Sequence, residues 1–166
     1  MELEFDESEE VFVRKAERYC AADEQCVAAV RAKLVDWGTP HELKERILHH
    51  LIQNDFLNER RFAVGYAQSK LRYSHWGRNK IAYQLRTKQL AKADVDAAVA
   101  SLDPELYVVV LDRLLSSRWP DASQPLTPQQ RGRLVSYLQG RGFATEEIWE
   151  AIGRHIETNH NEIQEQ

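Results

Sequence analysis

Apolar positions along the chain recur every three or four residues, the period of a helix with one buried face. From Ser8 to about Ala22, Val11, Ala16, Tyr19 and Cys20 share such a face. Val27, Val30, Ala32, Leu34 and Val35 carry a second helix to Asp36, and Trp37-Gly38 closes it, since glycine readily takes the left-handed conformation that ends helices. Thr39-Pro40-His41-Glu42 reads as a capping box with proline at the first helical position; Leu43, Ile47, Leu48, Leu51 and Ile52 follow, to about Asn54. Asn58 caps the next helix, whose apolar stripe is Phe62, Ala63, Tyr66, Ala67 and Tyr73. After a break at Tyr73-Ser74-His75-Trp76-Gly77, one helix spans about Arg78 to Lys88 and another Lys92 to Ser101. Tyr107-Val108-Val109-Val110 is β-prone when read alone. Asp103-Pro104-Glu105 before it, and the spacing of Leu111, Leu114 and Leu115 after it, predict a helix to Trp119. A loop follows from Pro120 to Pro128. Thr127-Pro128-Gln129-Gln130 then opens a helix to about Gly140, ended by Gly142. Thr145 caps a last helix through Ile148, Trp149, Ile152 and Ile156, with Trp119 and Trp149 expected in the core.

The reading is all-α, and it contains a repeat. Ile81-x3-Leu85-x2-Lys88-Gln89-Leu90, then Val95-x2-Ala98-Val99, matches Leu134-x3-Leu138-x2-Arg141-Gly142-Phe143, then Ile148-x2-Ala151-Ile152, at a constant offset of 53. Val30-x3-Leu34-x2-Trp37-Gly38 precedes the second copy by 51. Three tandem three-helix repeats are expected, at 8–54, 58–101 and 103–157, with a flexible acidic leader at 1–7 and a flexible tail at 158–166. Units this small share burial by stacking, which predicts an elongated, curved array.

Charge singles out the middle repeat. The stretch Asn58–Lys92 carries nine Lys or Arg: Arg60, Arg61, Lys70, Arg72, Arg78, Lys80, Arg86, Lys88 and Lys92. Its one acid is Glu59, at its start, although the whole chain is net acidic at -4. A band of one sign implies an anionic partner. Aromatics are interleaved in it. Trp76, beside His75 at the turn, reads as a capping aromatic packed over the turn, as Trp37 does at the equivalent Trp-Gly corner; the other reading is that it stacks on a base or fills a partner's pocket. Phe62 and Tyr66 read as core.

No catalytic constellation is legible, so the chain reads as a non-enzyme. His49 and His50 are adjacent and lack the i, i+4 spacing of a metal pair, and His41, His75, His155 and His160 are scattered. Cys20 and Cys26 form no CxxC motif, and no phosphate-cradling glycine loop is present, so neither metal nor cofactor is expected. The start is acidic and no apolar run is long enough for a membrane span, which points to a cytoplasmic protein.

With these patterns in hand, the chain resembles the RecX family. Leu57-Asn58-Glu59-Arg60-Arg61-Phe62-Ala63 is similar to the family's opening of its second repeat, and Lys70 and Arg72 fall where that helix is usually basic. Trp76-Gly77-Arg78-Asn79-Lys80-Ile81 is similar to its aromatic-Gly turn, and Leu85-Arg86-Thr87-Lys88-Gln89-Leu90 parallels its helix end. Tyr137-Leu138-Gln139-Gly140-Arg141-Gly142-Phe143 and Ile148-Trp149 are also typical. The sequence departs from the family at Gln89 for the usual glycine, Arg78 for a common proline, Asn58 for aspartate and Lys80 for arginine. The resemblance implies a regulator of DNA repair, recombination and the SOS response. Such a protein binds in the groove of the RecA–DNA filament as a monomer and inhibits recombinase and coprotease activities. Its contacts would be the nine basic residues with His75 and Trp76, to RecA, to DNA within the filament, or to both. A stand-alone nucleic-acid-binding repeat protein is the alternative.

Overall fold

The computed structural model describes residues 4–120 and 125–164, with side chains described as far as Thr158. The described residues contain nine helices and no strand: α1 (Glu7–Ala22), α2 (Val27–Asp36), α3 (His41–Gln53), α4 (Glu59–Ser74), α5 (Arg78–Thr87), α6 (Lys92–Ala100), α7 (Pro104–Ser116), α8 (Pro128–Arg141) and α9 (Thr145–Gln164). The all-α expectation is met, and the β-prone run at Tyr107 lies within α7. Packing divides the chain into two compact units, Met1–Gly65 with Leu85–Ala97 and Tyr66–Gln84 with Ala98–Gln166. The divisions fall inside α4, α5 and α6.

In the first unit, α1, α2 and α3 pack on one another around a core that includes Ala16, Val30, Leu34, Ile47 and Leu51, all fully buried. Val13 takes the inward place expected of Val11, which is 64% exposed; the inward row runs Val13, Ala16, Cys20 at helical spacing. Val35 and Ile52 also face outward. The expected flexible leader is structured over residues 4–7. Asp6 accepts the N–H groups of Ser8 and Glu9 at 2.9 Å each, and Glu9 returns the contact to complete a capping box. Phe5 packs against His50 and under Arg46. Residues 1–3 lie outside the described residues.

The capping box expected at Thr39 does not form. Thr39 is committed to closing α2, its N–H donating to the Leu34 carbonyl at 3.0 Å. Its buried hydroxyl has no hydrogen-bond partner among the described residues, and Pro40 stands before α3 without a side-chain cap. The start of α2 is served from elsewhere in the same unit, where the Glu59 carboxylate accepts the Val27 N–H at 3.2 Å.

Three helix ends share one local geometry. Gly38, Gln89 and Gly142 have φ of +73°, +65° and +98°. The residue after each, Thr39, Leu90 and Phe143, donates its N–H to the carbonyl of Leu34, Leu85 or Leu138 at 3.0, 3.4 and 3.1 Å. This is the Schellman closure, in which a left-handed residue turns the chain so that an otherwise free carbonyl is satisfied. The three leucines are completely buried. These are the positions related by the offsets of 51 and 53.

In the second unit, α7, α8 and α9 pack on one another. Two starts form as their sequences dictate. Asp103 accepts from Glu105 and Leu106 ahead of Pro104, and Thr127 and Gln130 make a reciprocal capping box ahead of Pro128. At α9 the cap differs from expectation. Glu147 accepts the Ala144 N–H at 3.0 Å, while the Thr145 hydroxyl is drawn off by Gln139 at 2.9 Å. Trp149 is 44% exposed and not core, because Ile148, Ala151 and Ile152 take the inward face one residue away. Trp119 is half-buried against His155, 4.2 Å between ring centres. The expected flexible tail continues α9 to Gln164; no glycine or proline follows Gly153 to end the helix. In the expected loop at Pro120 to Pro128, residues 121–124 lie outside the described residues.

Candidate cationic interface

The site is built at the break between α4 and α5. His75 takes a left-handed conformation, φ +54°, which turns the chain so that the Trp76 N–H donates to the Lys70 carbonyl at 3.1 Å. The indole thereby folds back over the last turn of α4. The Lys70 ammonium stands 5.1 Å from its ring centre, and Lys80 from the first turn of α5 stands 4.7 Å from it. Lys70 also lies 5.2 Å from the Tyr66 ring. Trp76 is half-buried, so it is both the expected packed turn aromatic and the platform that gathers two cations. Each contact of this kind contributes about 0.5–1 kcal/mol at an exposed site. Among the described residues neither lysine has a carboxylate partner; both are half-buried, and Lys80 Nζ also donates to the Gly140 carbonyl at 3.5 Å.

A buried frame fixes this corner within the second unit. The start of α5 abuts the end of α8: Gly77 N–H donates to the Arg141 carbonyl at 2.9 Å and Asn79 N–H to that of Gly142 at 3.0 Å. The free donors of one helix meet the free acceptors of another. A Cβ on Gly142 would lie 2.4 Å from the Cβ of Lys80, so that glycine also sets where Lys80 stands. Arg78 belongs to the frame. Its backbone N–H donates to the Tyr107 hydroxyl at 3.1 Å, and that hydroxyl donates to Glu147 Oε2 at 2.9 Å. The Arg78 guanidinium lies 4.2 Å from the Tyr107 ring centre and pairs with the other Glu147 oxygen. Burial pushes the Tyr107 phenol far above the usual tyrosine range. The Arg141 guanidinium donates to the Ser74 carbonyl.

The eleven residues singled out in the sequence therefore separate. Lys70, His75, Trp76 and Lys80 come together in the second unit, and Arg72 is exposed near the end of the same helix. Arg78 is spent internally. In the first unit Arg60 pairs with Asp94 at 2.9 Å, and Arg61 with both Glu24 and Asp55. The hydrogen bond to Glu24 raises the Arg61 pKa further, and the one from Asn58 lowers that of Asp55. Lys92 pairs with Asp96 one turn on. Arg86 is exposed, and Lys88 is half-buried with contacts of its own. A band nearly free of acids along the chain is thus partly neutralised in space by carboxylates from other segments. Sequence reading missed Tyr107, Arg141, Gly142 and Glu147, which hold the corner. It also placed Tyr73 in an apolar stripe, whereas Tyr73 is 76% exposed and Tyr83 61% exposed; Ala63, Ala67 and Leu71 are the buried row.

Fold and site define an all-helical repeat protein with a cationic surface, and among the described residues no three His, Cys, Asp or Glu side chains converge to hold a metal. Residues 58–99 match the family model described as RecX, second three-helix domain. A regulatory protein RecX of Mycobacteroides abscessus is 33% identical over 78 residues, 47% of this chain and 38% of the relative. One of Clostridium acetobutylicum is 26% identical over 127 residues, 74% of this chain and 58% of the relative. The crystal structure of RecX from Lactobacillus salivarius superposes with a TM-score of 0.79 at 18% identity, covering 90% of this chain and 97% of that one. RecX is the name that these comparisons share, and the solved structure shows that the chain has the same fold. The matched stretches span about 38% and 58% of the length of those two curated relatives. No helix among the described residues is long and apolar enough to cross a membrane.

Proposed function

We propose that this chain is a non-enzymatic regulator of a RecA-type recombinase. It binds the recombinase–DNA filament in its groove and limits recombinase and coprotease activity. The observation that carries the proposal is the Lys70–Trp76–Lys80 cluster: two ammonium groups on one aromatic platform, with no carboxylate partner among the described residues, inside the segment that matches the RecX second three-helix domain. Its natural counterpart is a carboxylate-rich filament surface, exposed phosphate, or both. Arg72 belongs to the same contact, and Arg86 and Lys88 extend the proposal in the first unit. Arg60, Arg61, Arg78 and Lys92 are already ion-paired and contribute less.

The test is co-sedimentation with preformed filament. The Lys70→Glu/Lys80→Glu double variant is expected to lose binding by at least about tenfold, the equivalent of one charge-assisted contact of about 1.4 kcal/mol. The second reading, a stand-alone nucleic-acid binder, predicts tight binding to bare DNA with a steep salt dependence, because counterion release scales with the phosphates neutralised. The net charge of -4 disfavours it.

A further inference from the structure

A second cationic region lies in α7 and α8. From Arg113 to Arg141 the sequence holds five arginines, no lysine and one acid, Asp121. A pocket of about 310 Å³ opens between the end of α7 and α8, lined by Arg118, Pro120, Gln130, Arg133, Leu134 and Tyr137. The Arg118 guanidinium lies 4.5 Å from the ring centre of Tyr137. On a different face of α8, Arg131 lies over the exposed Trp149 at 5.9 Å, beside a hollow of about 420 Å³. So two arginine–aromatic pairs flank one helix.

Seven arginines elsewhere in this chain are neutralised. Arg14, Arg31, Arg46, Arg60, Arg61, Arg78 and Arg154 each pair with a carboxylate. Among the described residues Arg118 and Arg133 do not, although both border one pocket. A planar guanidinium presents its donors in a fork that fits two oxygens of a phosphate, and it stacks on aromatic faces. Two such groups over an apolar floor of Leu134 and Pro120, with the Gln130 amide and Tyr137 at the side, match a charged phosphate carried on a less polar sugar and base. The volume is at the lower end of small-ligand pockets, about 300 Å³, enough for one nucleotide unit.

We propose that the pocket between α7 and α8 binds a nucleotide phosphate through Arg118 and Arg133. The site is separate from the Lys70–Trp76–Lys80 cluster and does not depend on the function proposed for it. The phosphate comes either from a free nucleotide or from a nucleic-acid strand passing over α8.

The test uses the full chain. The arginine Nε–Hε resonances of Arg118 and Arg133 are followed by NMR during titration with adenosine 5′-monophosphate, an oligo-dT strand and inorganic phosphate. Shifts with the monophosphate assign a free-nucleotide pocket, and shifts with oligo-dT alone assign a strand site; both support the proposal. The exposed double variant Arg118→Gln/Arg133→Gln, with helicity unchanged by circular dichroism, is expected to weaken binding of the responding probe at least about tenfold. No shift with any probe overturns the proposal. So does an equal response to inorganic phosphate, or unchanged affinity in the double variant.

Discussion

Gly77 and Gly142 abut so closely that a Cβ on Gly77 would lie 2.4 Å from both the carbonyl carbon and the carbonyl oxygen of Gly142. The obstacle is backbone, which cannot swing aside as a flexible side chain would. This approach is what lets the donors at the start of α5 reach the acceptors at the end of α8.

Gly77→Ala is therefore expected to destabilise the protein by about 2–4 kcal/mol, the sum of an overpacking cost and weakened backbone hydrogen bonds. Gly140→Ala is its control. That glycine is helical, exposed and has open space around a built Cβ, so alanine there should stabilise by about 0.5–1 kcal/mol. Urea midpoints for the two variants should move in opposite directions; a shared direction would refute the close-approach argument.

Tyr107 links Arg78 to Glu147, and its buried phenol is held protonated. Tyr107→Phe should cost about 1–3 kcal/mol, because the Arg78 N–H loses its partner in a part-buried place and Glu147 Oε2 keeps only the Ala144 N–H. The pH dependence follows from the raised pKa. The unfolded phenol ionises near its ordinary value of about 10 while the folded one does not, so above that pH the unfolded state binds fewer protons. The stabilisation is complete below about pH 10 and is lost progressively above it. Thermal melts of wild type from pH 9 to 11 should show this decline, and Tyr107→Phe should lessen it; the buried Cys20 thiol, pushed up to about 11, supplies part of what remains. An equally steep decline in the variant would remove Tyr107 as its cause.

Gln89 occupies a left-handed position that Gly38 and Gly142 fill at the matching helix ends. A residue with a Cβ costs roughly 1–2 kcal/mol there. Gln89→Gly should therefore stabilise by about 1 kcal/mol, slightly offset by the greater freedom of glycine in the unfolded chain. A drop in melting temperature would count against this reading of the helix end.

Much of the fold was legible because its signals are local. Asp103-Pro104 and Thr127-Pro128-x-Gln130 cap the helices they precede, and the 53-residue offset picked out Gln89 and Gly142, which share a backbone conformation. The capping misses are local shifts: α3 starts at His41, which leaves Pro40 and not Thr39 at its cap position, and Thr145 binds Gln139 while Glu147 caps α9. Along a helix, a one- or two-residue error in phase exchanged Val11 for Val13 and put Tyr73 inside. The site was half legible. The scarcity of acids along the band was visible, but the carboxylates that meet Arg60, Arg61 and Arg78 come from Asp94, Glu24 and Glu147, up to 69 positions away. Only the fold separates those spent cations from Lys70 and Lys80.

The most direct measurement is DNA-dependent ATP hydrolysis by a cognate RecA-type recombinase, titrated with this chain at fixed filament concentration. Wild type is expected to inhibit at well below one molecule per recombinase protomer. Lys70→Glu/Lys80→Glu, with helicity intact, should need at least about tenfold more protein for the same inhibition. Equal inhibition by the double variant would contradict the role of the Lys70–Trp76–Lys80 cluster, and no inhibition by saturating wild type would contradict the proposed regulation itself.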